Sequence, residues 1–208
     1  MMIWVNGRLS TEDDARVSPF DHALLTGDGV FETLKVENGV PFAVRRHLER
    51  LARSAAGLAL DAPPATAVRA ALEEVVEANG VNDGVARITL TGGPAPLGSD
   101  RGSAGPTLIV ACGPPRDWGP VAAIAIAPWP RNERGALAGL KTVSYAENVL
   151  ALRWARERGA EEAFITSSTR DVQPISAVDG APRPATPGPL TKAAMDAFAD
   201  LQKRDFDP

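Results

Sequence analysis

Two kinds of spacing organise the apolar positions of this chain. Short apolar runs closed by Asn-Gly or Gly-rich turns predict strands, and three- and four-residue recurrences predict helices. Met2 to Val5 predicts a short strand that ends at the Asn6-Gly7 turn. Val30 to Val36 predicts a second strand. After the Glu37-Asn38-Gly39 turn, Val40 to Val44 returns as its hairpin partner. Leu48, Leu51, Ala55 and Leu58 mark one face of a helix over Arg46 to Leu58. Leu72, Val75 and Val76 do the same for Thr66 to Ala78, which Asn79-Gly80 stops. Val85 to Thr91 and Thr107 to Cys112 read as strands joined by the glycine-rich loop Gly92 to Gly105. That loop has no GK[ST] ending and opens into no helix, so it reads as a hairpin connection and not a phosphate cradle.

Pro114 to Pro120 reads as a linker, which divides the chain into an N-terminal α+β domain, 1–116, and a C-terminal domain, 117–208. Val121 to Ala127 predicts a strand, and Pro128 to Leu140 a loop. Ser144-Tyr145-Ala146-Glu147 matches a capping box that starts a helix. Arg156 and Arg158 favour the end of that helix and Gly159 stops it. Ala163 to Ser167 predicts a strand, and Thr169 to Pro189 is irregular. Leu190 to Lys203 predicts a last helix with Ala194, Phe198 and Leu201 inward. The fold class is α+β, with antiparallel hairpins in the first half.

Composition narrows the function. A hydrophobic share of 44% and a charged share of 23% suit a soluble globular chain of 208 residues. The net charge is −4 with both signs scattered, which argues against nucleic acid and anionic membrane as partners. The segment Met1 to Val5 is too short for a signal peptide and no apolar run reaches membrane-spanning length, so a cytoplasmic location is expected. The single cysteine, Cys112, reads as a small buried hydrophobe. With only His22 and His47 beside it, no structural zinc site is expected, and both histidines read as hydrogen-bonding and packing residues.

Lys141 is one of four lysines in a chain with 18 arginines. A guanidinium stays protonated and cannot act as an amine nucleophile, so a lysine kept in the Gly139-Leu140-Lys141-Thr142 loop invites imine chemistry with a carbonyl compound. The ordinary reading of such a residue is a solvated surface charge, and spacing alone leaves both open.

Three segments taken together carry a resemblance. They are Gly27-Asp28-Gly29-Val30-Phe31-Glu32-Thr33-Leu34 with His47-Leu48-Glu49-Arg50-Leu51; Gly139-Leu140-Lys141-Thr142-Val143-Ser144-Tyr145-Ala146-Glu147-Asn148; and Phe164-Ile165-Thr166-Ser167-Ser168-Thr169-Arg170-Asp171-Val172-Gln173-Pro174, followed by Gly188-Pro189-Leu190-Thr191-Lys192. In this order they resemble the class IV aminotransferases, the fold-type IV enzymes of pyridoxal 5'-phosphate. The family holds branched-chain aminotransferases, D-amino-acid aminotransferases and aminodeoxychorismate lyases.

The resemblance implies a two-domain fold like that of D-amino-acid aminotransferase, pyridoxal 5'-phosphate as cofactor, and a homodimer acting on a small amino or chorismate-derived substrate. Lys141 matches the lysine that forms the imine with the cofactor and moves protons at the substrate α-carbon. Arg50 matches the arginine that clamps the cofactor phosphate. Ser167 and Ser168 match small residues near the phosphate and the substrate carboxylate. Phe31 matches an aromatic of the substrate pocket, although a core phenylalanine would look the same. Arg87 lies on a strand where some relatives bind a substrate carboxylate, and a structural salt bridge accounts for it equally well. Thr26 stands where branched-chain aminotransferases carry tyrosine. This brings the chain closest to the aminodeoxychorismate lyases, which release p-aminobenzoate and pyruvate on the route to folate. A branched-chain or D-amino-acid aminotransferase is the alternative.

The chain also departs from the family. The phrases E-G-x-x-x-N, T-P-P and L-x-G-x-T-R are missing, and two similar phrases are fused between Ala163 and Phe164. An internal deletion of roughly seventy residues would account for this. The lost glutamate is the one that pairs with the pyridinium nitrogen in relatives, and the lost helix start donates N–H groups to the phosphate. A catalytically inactive remnant or a dimerisation module is therefore a further alternative.

Overall fold

The computed structural model describes residues 1–163 and 168–208. The chain divides into two compact units, one of Met1–Pro115, Glu133–Ser144 and Asp207–Pro208, the other of Arg116–Asn132 and Tyr145–Phe206. Lys141, which the sequence places in the second half, lies in a segment that belongs to the first unit.

Among the described residues, the first unit is built on a six-stranded antiparallel sheet. Its strands are β1 (Met2–Val5), β2 (Arg8–Thr11), β3 (Gly29–Glu37), β4 (Val40–Pro41), β5 (Gly84–Thr91) and β6 (Thr107–Gly113), in the order β2-β1-β6-β5-β3-β4. The Asn6-Gly7 turn closes a hairpin: β2 pairs with β1 from Met2↔Thr11 to Val5↔Arg8. The expected return strand Val40 to Val44 is only two residues long. Pro41 lacks an N–H for the ladder, and Ala43 takes a left-handed conformation (φ 55°) that turns the chain into a helix. A short helix, α1 (His22–Thr26), precedes β3 and was not expected. Asp21 caps it by accepting from the Ala23 amide, and Gly27 ends it at φ 76°.

Two helices pack on one face of this sheet, α2 (Val44–Gly57) and α3 (Ala65–Ala78). Both fit the predicted periodicity. Leu48, Leu51 and Ala55 of α2 and Val68, Leu72 and Val75 of α3 bury against Leu34 and Val36 of β3, Ala86, Ile88 and Leu90 of β5, and Val110 of β6. Cys112 is buried in the same core, as expected. Strand alternation sends Val30, Glu32, Leu34 and Val36 toward the helices, which leaves Phe31, Thr33 and Lys35 for the opposite face. A carboxylate thus occupies a core position of β3.

Among its described residues, the second unit holds β7 (Ala122–Ile124), β8 (Ile175–Val178), β9 (Ala181–Pro182), α4 (Ala146–Arg156) and α5 (Pro189–Arg204). β7 runs parallel to β8, and β9 folds back antiparallel. The stretch expected to be irregular therefore contains two short strands joined at Asp179-Gly180. The expected strand Val121 to Ala127 shortens to three residues. Ala125, Ala155 and Ala160 form the small core, with Trp154 against it and meeting Trp129 edge-on at 5.8 Å. The last helix is amphipathic as predicted, yet among the described residues it has no fully buried side chain. Phe198 and Leu201 are half-buried and Ala194 is exposed. Most of the expected strand Ala163 to Ser167 lies outside the described residues.

The expected capping box is not formed. The first helical residue after the loop is Ala146 and its N-cap is Tyr145. Ser144 instead donates its hydroxyl to the Gly27 carbonyl at 2.9 Å. A Cβ at Gly27 would lie 2.6 Å from that hydroxyl oxygen, so close approach as well as positive φ requires glycine there.

Candidate functional site

The segment carrying Lys141 is docked on the edge of β3 that β4 leaves open. Phe31 donates its amide to the Lys141 carbonyl at 3.0 Å, and Val143 donates to the Gly29 carbonyl at 2.8 Å. Val30 and Thr142 form an antiparallel bridge. The other side of the segment meets α2. The Lys141 amide donates to the Ser54 hydroxyl at 3.1 Å, and Leu140 lies where a Cβ on Gly57 would be, 2.6 Å from its nearest atom. The backbone of Lys141 is therefore fixed by one strand and one helix.

The side chain of Lys141 lies among groups that lower its proton affinity. Its Nζ stands 4.1 Å from the centre of the Phe31 ring. Arg87, on the β5 position opposite Thr33, places its guanidinium carbon 3.8 Å from the same ring centre and donates Nε to the Thr89 hydroxyl at 3.2 Å. Burial is the main force holding the Lys141 pKa below the ordinary lysine value. The Glu32 carboxylate opposes it, and the charges of Arg50 and Arg87 add to it. A greater neutral fraction at a given pH is what an amine nucleophile requires.

Glu32 reaches the same region from the helix-facing side of β3. Its side chain is wholly buried, and three donors converge on it. Arg50 Nε gives to Oε1 at 2.6 Å and Arg50 Nη2 to Oε2 at 2.5 Å, a two-pronged contact. His47 Nδ1 gives to Oε2 at 2.7 Å. The 3.3 Å separation of Arg50 Nη2 and His47 Nδ1 follows from two donors sharing one oxygen. Burial alone would raise the Glu32 pKa; the hydrogen bonds from Arg50 and then His47 outweigh it and hold the carboxyl below its usual range. The Arg50 side chain is 42% exposed above this buried partner.

The loop before β3 is tied by a second charged knot. Arg101, from the glycine-rich loop, grips Asp28 with two nitrogens at 2.5 and 2.6 Å and donates to the Leu58 and Ala59 carbonyls at the end of α2. His22 is buried, with Nδ1 2.7 Å from Asp28 and Nε2 3.1 Å from the Gly98 carbonyl. Both ring nitrogens face acceptors, an arrangement that favours the protonated ring. The hydrogen bond to Asp28 is the main reason its pKa is raised.

Among the sequence-predicted residues, Arg50, Phe31 and Arg87 lie in the first unit around Lys141. Ser168 belongs to the second unit and is half-buried. Ser167 lies outside the described residues. Sequence reasoning passed over Glu32 and gave His47 no chemistry. A signal for Glu32 was available: it shares strand parity with Val30, Leu34 and Val36, a core position where a carboxylate requires buried donors. His47 and Arg50 stand one helical turn apart to supply them. Among the described residues there is no group of side chains suited to hold a metal ion, and no helix is long and apolar enough to cross a membrane.

Residues 29–173 match the family model of amino-transferase class IV. A Methanocaldococcus jannaschii protein that carries the provisional name branched-chain-amino-acid aminotransferase is 34% identical over 170 residues, covering 79% of this chain and 59% of its own length. The Bacillus subtilis aminodeoxychorismate lyase is 41% identical over 90 residues, covering 43% of this chain and 31% of the lyase. The chain thus spans less than two thirds of either relative. The structure of the Thermoproteus uzoniensis branched-chain aminotransferase with norvaline superposes with a TM-score of 0.82 at 20% identity, over 97% of this chain and 94% of that one.

Proposed function

The chain belongs to the class IV aminotransferase family and has the two-domain fold-type IV architecture with a shortened second domain; from this premise we propose that it is a pyridoxal 5'-phosphate enzyme of aminodeoxychorismate lyase type. The observation that carries the proposal is the Lys141 amine. It is half-buried beside Phe31 with lowered proton affinity, in the same unit as a half-exposed arginine.

These residues fit the cofactor. Lys141 would hold it through the amine, and Arg50 through the phosphate, because a planar guanidinium matches phosphate oxygens in pairs. When bound, the cofactor withdraws electrons from the substrate α-carbon. Lys141 Nζ takes and returns the proton at that carbon, and the nearby charges of Arg50 and Arg87 keep a larger share of the amine neutral. Phe31 lies against one side of the amine. Arg87, on the sheet face opposite the helices, would bind a substrate carboxylate in this reading.

Aminodeoxychorismate is the proposed substrate, yielding p-aminobenzoate and pyruvate. The likeness to the Bacillus subtilis lyase supports it, as does Thr26 in place of a tyrosine. A second reading, transamination of an amino acid, draws on the longer match to the Methanocaldococcus jannaschii protein. A third, an inactive chain that keeps the family fold, draws on the missing E-G-x-x-x-N phrase. A homodimer in the cytoplasm is part of the proposal.

The test begins with purified protein and pyridoxal 5'-phosphate. A new absorbance band at the edge of the visible, lost in Lys141→Ala, supports the cofactor reading, and its absence from the unmodified protein refutes it. Pyruvate released from aminodeoxychorismate then selects the lyase, keto acid formed from an amino acid selects the transaminase, and neither product selects the inactive reading.

A further inference from the structure

We propose that Glu32 is a positioning residue that holds the Arg50 guanidinium in one plane for phosphate binding, with His47 locking the carboxylate in place. The inference rests on the reading of Arg50 as the phosphate clamp.

Glu32 has no exposed surface, whereas Arg50 is 42% exposed. A carboxylate removed from water is costly unless its lone pairs are filled. Three contacts fill them here, two from Arg50 and one from His47. The neighbouring inward positions of β3 are Val30, Leu34 and Val36, and an apolar residue at position 32 would pack there without any such requirement. The carboxylate is therefore not what the core alone asks for.

The contact has the geometry of an alignment device. An unconstrained arginine side chain loses rotamer freedom when it binds a ligand. Arg50 has already lost it, because Nε and Nη2 are both fixed to one rigid carboxylate from beneath. His47 stands one turn earlier on α2 and shares Oε2 with Nη2, so the carboxylate cannot rotate without breaking two contacts at once. Glu32 also balances the arginine charge. Phosphate recognition must then come from directed N–H bonds more than from bulk charge, which makes the plane of the fork matter.

The experiment compares dissociation constants of the full chain for pyridoxal 5'-phosphate and for pyridoxal, which lacks the phosphate. The unmodified protein should favour the phosphorylated compound. Glu32→Gln places an amide where donors converge, and should reduce that preference about tenfold while pyridoxal affinity changes by less than about twofold. Arg50→Lys keeps the charge, loses the fork, and sits on a partly exposed side chain that tolerates exchange. It should lose the preference to a similar degree and decides the question if Glu32→Gln does not fold. Preference retained in either folded variant overturns the inference and leaves the cofactor reading intact. An equal loss for both compounds in Glu32→Gln also overturns it, because a purely structural role would weaken both. No preference in the unmodified protein defeats the phosphate-clamp reading, and this inference with it.

Discussion

Replacing Arg50 by methionine keeps the aliphatic stem and removes the partner of a wholly buried carboxylate. Breaking such a pair costs about 3–5 kcal/mol when both charges are buried. The Arg50 side chain is 42% exposed, so solvent screening reduces the expected loss to about 1.5–2 kcal/mol. For a chain of this length about 2–4 °C accompanies each kcal/mol, giving a fall in unfolding midpoint of about 3–8 °C at neutral pH. The pH dependence has a definite sign. Glu32 is held below its usual range in the folded state. Its contribution is present above the unfolded value of about 4.3 and is lost as pH falls through the folded value. In Arg50→Met the largest influence left on Glu32 is burial, which raises its pKa. The gap between the two proteins should therefore narrow as pH is lowered from about 7 toward about 4. Thermal unfolding followed by circular dichroism across that range measures it. A gap that does not change with pH, or a midpoint unchanged within about 1 °C at neutral pH, would refute the reasoning.

Three further outcomes are expected. Arg87→Met removes a like charge that lowers the Lys141 proton affinity, so the pH midpoint of Lys141 modification by an amine reagent, followed by peptide mass spectrometry, should rise; a fall would contradict the assignment. Asp28→Asn should lower the His22 pKa, because Asp28 is the main cause of its increase, and with only two histidines in the chain a proton NMR titration resolves it. In the unmodified protein the His22 contribution is complete below about pH 6.5 and is lost as pH rises through its folded pKa; the Asp28→Asn substitution should flatten that loss, and an unmoved His22 titration would show that the contact does not govern it. Amide hydrogens of α5, with no fully buried residue among those described, should exchange faster than those of α3, whose Leu72 and Val75 are wholly buried; equal protection would contradict this.

Much of the first unit was legible because its periodicity is clean. The apolar spacing predicts α2 and α3, and the Val-, Ile- and Leu-rich runs predict β3, β5 and β6. The class IV resemblance rests on three ordered segments, and the family match confirms it. What escaped depends on contacts far apart in sequence. Glu32 looks like a solvent residue until strand parity puts it in the core, where His47 and Arg50 reach it from another element. Ser144 fits a capping box, yet its hydroxyl bonds to the Gly27 carbonyl, a partner 117 residues away. β8 and β9, four and two residues long, are too short to give a period in a stretch rich in Pro, Gly and Ala. β4 ends early because Pro41 and the left-handed Ala43 take over from the hairpin.

The central claim is that Lys141 is the amine that holds the cofactor. Pyridoxal 5'-phosphate is added to the full chain, the mixture is reduced with borohydride, and the peptides are weighed. The account predicts the phosphopyridoxyl mass on the peptide containing Lys141, and no such mass on any peptide of Lys141→Ala. Mass found instead on Lys35, Lys192 or Lys203, or on no peptide of the unmodified protein, would contradict it.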